Sequence, residues 1–325
     1  MIITRTPLRI SFAGGGTDFK DFYDKDYGAV VSTAIDKYIY VVVKERFDDK
    51  IRIGYSLTEM VDNVDEIHHE LAREAMRMVG VERGIEIATM ADIPSEGAGL
   101  GSSSTVTVGL LHALYAHRGD IVPAEVLARQ ACDIEIGVLG KPIGRQDQYI
   151  AAYGGLRYFR FLPGEQVEVT TIDLDAGAKQ RLAESLLLFY TGVTRQSSEV
   201  LTEQKSNIAS KMALLGEMKH QADELARQLR LGAVASIGQT LREGWLRKKQ
   251  LASGISNPAI DELYETAMSA GALGGKVTGA GGGGFFLVCV PPENRAAVRK
   301  RLSHLREMPI SLERDGSKVI FNVRR

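Results

Sequence analysis

The stretch Pro94–Ser104 reads PSEGAGLGSSS, and the fold turns on how it is read. Before it, Ile85–Met90 (IEIATM) alternates in apolar character and predicts a strand; after it, Ser102–His117 predicts a helix. The loop therefore delivers a strand into a helix N-terminus. Gly97, Gly99 and Gly101 let backbone N–H groups approach phosphate oxygens with no Cβ in the way. The helix start adds unsatisfied donors and the positive end of its dipole. The hydroxyls of Ser102, Ser103 and Ser104 can bond phosphate or ligate Mg2+. With Pro94 and Leu100 completing it, the loop is expected to cradle a nucleotide's phosphates, the bland alternative being a turn with a serine N-cap. Its spacing excludes two other phosphate loops. No lysine follows the last glycine, as GxxxxGKS/T requires, and GxGxG is not the dinucleotide pattern GxGxxG.

Two further glycine clusters flank it along the chain. Ala13–Asp18 (AGGGTD) follows the strand-like PLRISF, and its Thr17 and Asp18 suit a hydroxyl-rich ligand, although an Asx-capped turn explains it alone. Lys276–Gly284 (KVTGAGGGG) runs into the apolar FFLVCV. Four successive glycines are poor in any regular element, so a loop closely approached by something else, or a hinge, is expected.

Around these clusters the apolar pattern alternates strands and helices. Strands are expected at Ile2–Phe12, as two pieces within Ala29–Val43, within Gly155–Ile172, and at Leu186–Tyr190, Phe285–Val290, Ile310–Leu312 and Val319–Val323. Helices are expected at Val64–Val79, Pro123–Leu139, Ser197–Leu231 (broken near Gly216), Pro258–Ala270 and Glu293–Leu305. A boundary near Asp175–Ser185 divides the 325 residues into 1–180 and 181–325. Forty Lys+Arg against forty-one Asp+Glu leave a net charge of -1, so no basic excess points to nucleic acid or an anionic membrane. Cys132 and Cys289 stand far apart with no partner motif, against a disulfide framework or structural zinc. The opening MIITRTPLRISF carries no apolar signal core and no segment reaches membrane-spanning length, so a cytoplasmic location is expected.

Pro7–Asp18 (PLRISFAGGGTD), Pro94–Ser104 and Lys276–Gly284, in this order and spacing, together resemble the three motifs of the GHMP kinase superfamily (galacto-, homoserine, mevalonate and phosphomevalonate kinases) over nearly the whole chain. Within it, AGGGTD, the GRQDQ of Gly144–Gln148 and the YTGVTRQSSEVL of Tyr190–Leu201 most resemble the D-glycero-D-manno-heptose 7-phosphate kinases, which phosphorylate the anomeric C1 hydroxyl. The Glu-His that precedes the Thr-Asp in the galactokinase motif is absent here. Fucokinase-like enzymes share an AGG turn and are the runner-up.

The resemblance implies a two-domain α+β fold, its first half like ribosomal protein S5 domain 2 and its second ferredoxin-like, with ATP and acceptor between them. It implies Asp147 as catalytic base, with Arg9 polarising the acceptor or stabilising transition-state charge. Ser103 and Glu135 would hold Mg2+, a hydroxyl and one carboxylate being an ordinary protein share of its shell. Gly14, Gly15, Gly16, Thr17, Asp18, Gly281 and Gly282 would meet the acceptor, and Arg145 and Arg195 would grip its phosphate. A sugar phosphate and ATP are the implied small-molecule partners; the choice between monomer and homodimer stays open. A silent sensor on the same fold and a dinucleotide oxidoreductase are the rival classes.

Overall fold

The computed structural model describes residues 1–93, 98–193 and 197–323. The fold is α+β, built on two sheets. In the first sheet, β1 (Ile2–Ala13), β2 (Gly28–Glu45), β3 (Ile51–Gly54), β4 (Thr58–Val61), β5 (Ile85–Ala91), β6 (Leu156–Phe161) and β7 (Val167–Thr171) come from the first half of the chain. The second sheet is formed by β8 (Leu186–Tyr190), β9 (Gly274–Val277), β10 (Phe285–Cys289) and β11 (Arg306–Glu307), in the antiparallel order β11-β8-β10-β9. The last strand, β12 (Lys318–Asn322), leaves the second half and pairs antiparallel with β1. We retain 1–180 and 181–325 as a proposed division, with β12 as the return crossing.

The pattern of Ala29–Val43 predicts two strands, whereas the chain forms the single 18-residue β2. The polar dip at Asp36–Lys37 that suggested a break is a change of partner. Gly28–Thr33 pairs with β6 and Ile39–Glu45 with β5, while β1 runs alongside with a register shift at Pro7/Leu8. Asp36 is used at that point, its Oδ1 accepting from the Ser311 N–H at 2.8 Å.

Three helix boundaries also differ from expectation. Val64–Glu66 is a 3-10 turn, and the helix proper is Glu70–Val79, capped by the His69 ring nitrogen accepting from the Ala72 N–H at 3.2 Å. The long helical region breaks at Ile208–Ser210, not at Gly216, which lies inside helix Met212–Arg230. Helix Arg295–Arg301 is shorter than expected, and Ile310–Leu312 contributes only an isolated bridge from Leu312 to Ile35.

Helix Met212–Arg230 ties the halves together. Its Leu215 and Met218 enter the apolar cluster over the second sheet, and Ala222, Leu225, Ala226 and Leu229 enter the one over the first. Each large apolar side chain so buried is worth about 1.5–3 kcal/mol. Within the second set, Asp223 accepts from the Tyr27 hydroxyl at 2.7 Å and the Tyr158 hydroxyl at 2.6 Å. The helix is therefore held to the first sheet by directional bonds as well as by packing.

Candidate active site

β1 carries Arg9 to the floor of a cleft between the two sheets, with Asp18, Gly99, Ser102, Ser103, Ser104, Asp147, Lys248 and Lys276 among its lining. Arg9 is almost fully buried. Its Nε donates to Asp147 Oδ1 and its Nη2 to Asp147 Oδ2, each at 2.7 Å, in the two-pronged geometry that suits a guanidinium and a carboxylate. The remaining Nη1 donates to the Gly99 carbonyl at 2.7 Å, tying this pair to the second glycine loop. Asp147 stands in the first turn of helix Gln146–Tyr153, at the edge of the cleft.

The second glycine loop leads into helix Ser102–Arg118, whose N-cap is Gly101 in a left-handed conformation with no side chain closing the end. No acidic residue occupies the first turn, so the helix presents its free N–H groups and dipole to the cleft uncompensated. The third glycine loop seals against the second. A Cβ on Gly99 (φ +70°) would lie 2.6 Å from the Thr278 carbonyl oxygen, and one on Gly279 (φ +64°) would lie 2.5 Å from the Gly99 Cα. Both positions demand glycine twice over, for the backbone angle and for the space.

Opposite the Arg9–Asp147 pair lies the first glycine turn. Asp18 is buried, and its carboxylate accepts from the Gly16 N–H at 2.9 Å and the Gln146 N–H at 3.1 Å. Burial pushes its carboxyl up, against the pull of these two bonds, and the charge of Asp147 adds to the rise. Gly144 is the reason the carboxylate fits, because a Cβ there would lie 2.0 Å from it. Gly15, Gly16 and Gly281 also face the cleft.

Ser103 and Glu135 meet: the Ser103 hydroxyl donates to Glu135 Oε2 at 2.6 Å, and Gln148 Nε2 donates to Oε1 at 3.0 Å. Glu135 is expected on a continuous helix to Leu139, but that helix is α only over Ala124–Cys132 and winds as a π-helix over Asp133–Val138. Such wide turns are common at functional sites because they re-aim one side chain. Burial pushes the Glu135 carboxyl up, with Ser103 and the Lys141 charge pulling against it. A divalent cation beside Ser103 would offset that cost, so the pair fits Mg2+. Among the described residues no cluster of three or more His, Cys, Asp or Glu could hold a metal.

Several expected ligand contacts are placed elsewhere. Thr17 is fully buried and faces the sheet: its hydroxyl donates to the Gly14 and Ala29 carbonyls and accepts from the Ala29 N–H, so it staples the turn to β2. Gly14 and Leu100 lie behind the lining, the latter's carbonyl accepting from the Arg9 N–H at 3.1 Å. Arg145 points away from the cleft, donating to the Glu165 carbonyl at 2.9 Å and lying over the Tyr149 ring. Gly282 turns its N–H to the Ile255 carbonyl. Pro94, Gly97 and Arg195 lie outside the described residues.

Two cleft residues were not anticipated. Lys248, at the end of helix Ser236–Lys248, and Lys276, on β9, both extend buried ammonium groups into the lining. Ser11 and Gln146 join them with Oγ and Oε1 atoms that are buried without a hydrogen-bond partner.

A helix N-terminus wrapped by glycines, a carboxylate held by an arginine, and a hydroxyl–carboxylate pair that fits a divalent cation are parts that phosphoryl transfer calls for. Residues 64–155 match the family described as GHMP kinases N terminal domain, and residues 222–305 the family described as GHMP kinases C terminal, together more than half of the chain. The chain belongs to the GHMP kinases and is an ATP-dependent kinase acting on an alcohol group. It is 28% identical over 333 residues to the D-glycero-alpha-D-manno-heptose 7-phosphate kinase of Campylobacter jejuni, covering 96% of this chain and 97% of that protein. The crystal structure of a D-glycero-D-manno-heptose 1-phosphate kinase from Bacteriodes thetaiotaomicron superposes with a TM-score of 0.83 at 25% identity, over 100% of both chains. The L-fucokinase/L-fucose-1-P guanylyltransferase of Bacteroides fragilis is 26% identical over 92% of this chain, which spans 36% of that longer protein.

Proposed function

We propose that this enzyme is a sugar kinase that transfers the terminal phosphoryl group of ATP to the anomeric C1 hydroxyl of D-glycero-D-manno-heptose 7-phosphate, giving the 1,7-bisphosphate for nucleotide-activated heptose synthesis in the cytoplasm. The observation that carries the reading is the Arg9–Asp147 pair, which stands between a phosphate-binding helix end and a turn offering a buried carboxylate, Asp18. The near end-to-end match to a heptose 7-phosphate kinase supports the choice of acceptor.

In this reading the second glycine loop and the helix start at Ser102 bind the triphosphate. Ser103 and Glu135 would hold Mg2+, which when bound supplies charge neutralisation on the phosphate oxygens. Asp147 accepts the proton of the attacking hydroxyl. Arg9 aims the Asp147 carboxylate and adds positive charge where negative charge builds. Asp18, Ser11 and Gln146 receive the sugar's hydroxyls, the last two supplying the buried polar atoms that have no partner within the protein.

The test is turnover of ATP–Mg2+ with a panel of sugars and sugar 7-phosphates, with phosphorus NMR of the product. Phosphate appearing at C1 of the heptose 7-phosphate is the expected result. Transfer to mevalonate or homoserine and to no sugar would overturn the acceptor and leave the kinase assignment standing. The second reading, an L-fucokinase-like enzyme, has the Bacteroides fragilis relative in its favour; it predicts that an unphosphorylated deoxyhexose outcompetes any sugar phosphate.

A further inference from the structure

Lys248 and Lys276 are buried, and both line the cleft. The Lys248 ammonium donates to the Gly279 carbonyl, and the Lys276 ammonium to the Ser11 carbonyl at 2.9 Å. Among the described residues, neither has a carboxylate within ion-pair distance, whereas Lys219, equally buried, is paired with Asp26. The two carboxylates that line the cleft among the described residues are already engaged, Asp147 by Arg9 through both oxygens and Asp18 by two backbone N–H groups. Burying an ammonium without an opposite charge is among the most expensive arrangements a fold can hold. Two of them side by side, with the Arg9 guanidinium as third cation, mark a place built for an anion that the described residues do not provide.

Position says which kind of anion. Gly279, whose carbonyl holds Lys248, is the residue packed on Gly99 of the phosphate-binding loop. Ser11, whose carbonyl holds Lys276, lies one turn of strand from Arg9 and beside Gly15. The lysines thus stand where the donor loop, the catalytic pair and the acceptor turn converge. We propose that Lys248 and Lys276, beside Arg9, form the seat of a phosphoryl dianion, and that the charge of the two lysines is matched only when that anion arrives. This goes beyond the sugar kinase reading and rests on it only in taking a phosphate as the anion. That phosphate comes either from the nucleotide's terminal group or from an ester on the acceptor.

The electrostatics agree. Burial, and then the Arg9 charge, bring Lys248 down to about 8, with Asp147 and Asp18 opposing. Burial, then Lys248 and Arg9, hold Lys276 well below the ordinary lysine range. An incoming dianion favours the protonated form of both, so its binding at pH 8 takes up protons.

Lys248→Met and Lys276→Met, singly and together in the full chain, test this. One arm compares calorimetric affinities for AMP-PNP and ADP with Mg2+; the other compares turnover of heptose 7-phosphate and of unphosphorylated heptose. If the seat holds the nucleotide's terminal phosphate, the variants lose about tenfold or more in AMP-PNP affinity while ADP affinity holds. Should it hold the acceptor's ester, the preference for heptose 7-phosphate collapses by a similar factor and both nucleotides bind as before. In either case the melting temperature holds or rises, because an unpaired buried charge has been removed. Net proton uptake, measured at pH 8 in two buffers of different ionisation heat, also falls. The seat is refuted if neither preference changes, or if the variants melt much lower and weaken every ligand alike. The nucleotide arm needs no sugar, so a wrong acceptor and a wrong seat give different results.

Discussion

Arg9 and Lys276 share one cleft and are equally hidden from solvent, yet the fold treats their charges in opposite ways. Arg9, from the first half of the chain, has every prong of its guanidinium assigned, two to Asp147 and one to the Gly99 carbonyl. Lys276, from the second half, is left with a single carbonyl. The first half thus brings an arginine–carboxylate pair whose bonds are already made without a ligand. The second brings positive charge that costs stability until an anion neutralises it. Preorganised geometry and held-back charge are different contributions to phosphoryl transfer, and here they come from different sheets.

The strongest way to break the finished side is Asp147→Asn, which keeps the shape and removes the proposed base. It should lower kcat by about 10²–10⁴-fold. Arg9→Met should fall in the same direction, and the double variant should be far less impaired than the product of the two, because the residues act as one unit. Steady-state kinetics of the three variants measures this, and multiplicative losses would mean that the pair is not a unit.

Gly99→Ala attacks the seam where the two halves touch. The added methyl would press on the Thr278 carbonyl from a backbone angle that favours glycine, so a loss of about 1–3 kcal/mol in unfolding free energy is expected, together with a raised KM for ATP. Denaturant unfolding and nucleotide titration would report the two effects separately; a wild-type KM in a destabilised variant would confine the seam to a structural role.

The smallest effect sharpens the held-back side. Lys248 titrates near 8 in the folded protein and in the ordinary lysine range, near 10.5, when unfolded. Between those values the unfolded chain binds more protons, so this residue's contribution to stability improves as pH rises from about 8 to 10.5, while below 8 its penalty is fully present. The melting advantage of Lys248→Met over the natural protein should accordingly be largest near pH 7 and shrink towards pH 10.5. A constant difference across that range would show that Lys248 carries an ordinary lysine's charge.

Legibility in the sequence follows the physics of each residue. The glycine loops could be read because Gly99 and Gly279 occupy positions that no side chain fits, and glycine is informative wherever it is required. Ser103 belongs to the second loop itself, whereas Asp147 was legible only through the resemblance of GRQDQ to the family pattern. The Ser103–Glu135 contact spans 32 positions and depends on a π-turn that apolar periodicity does not reveal, so the residue could be named but not its setting. Thr17 was read as a ligand contact because a threonine beside an aspartate in a glycine turn looks the same whether its hydroxyl faces a pocket or a sheet. Lys248 left the weakest trace. It ends a helix in the run WLRKKQ, where charge normally signals a solvated face, and only the packing of that helix against β9 shows that one lysine of the run points inward.

The return of β12 to β1 has a temporal meaning as well as an architectural one. The Val323 carbonyl accepts from the Met1 amino group at 2.6 Å, and β1 keeps this edge vacant in synthesis until Lys318–Asn322 has been made. The whole second sheet is in effect a loop inserted between two neighbouring strands of the first. Closing so long a loop carries a large entropic cost, so completion of the first sheet is expected to be a late step in folding.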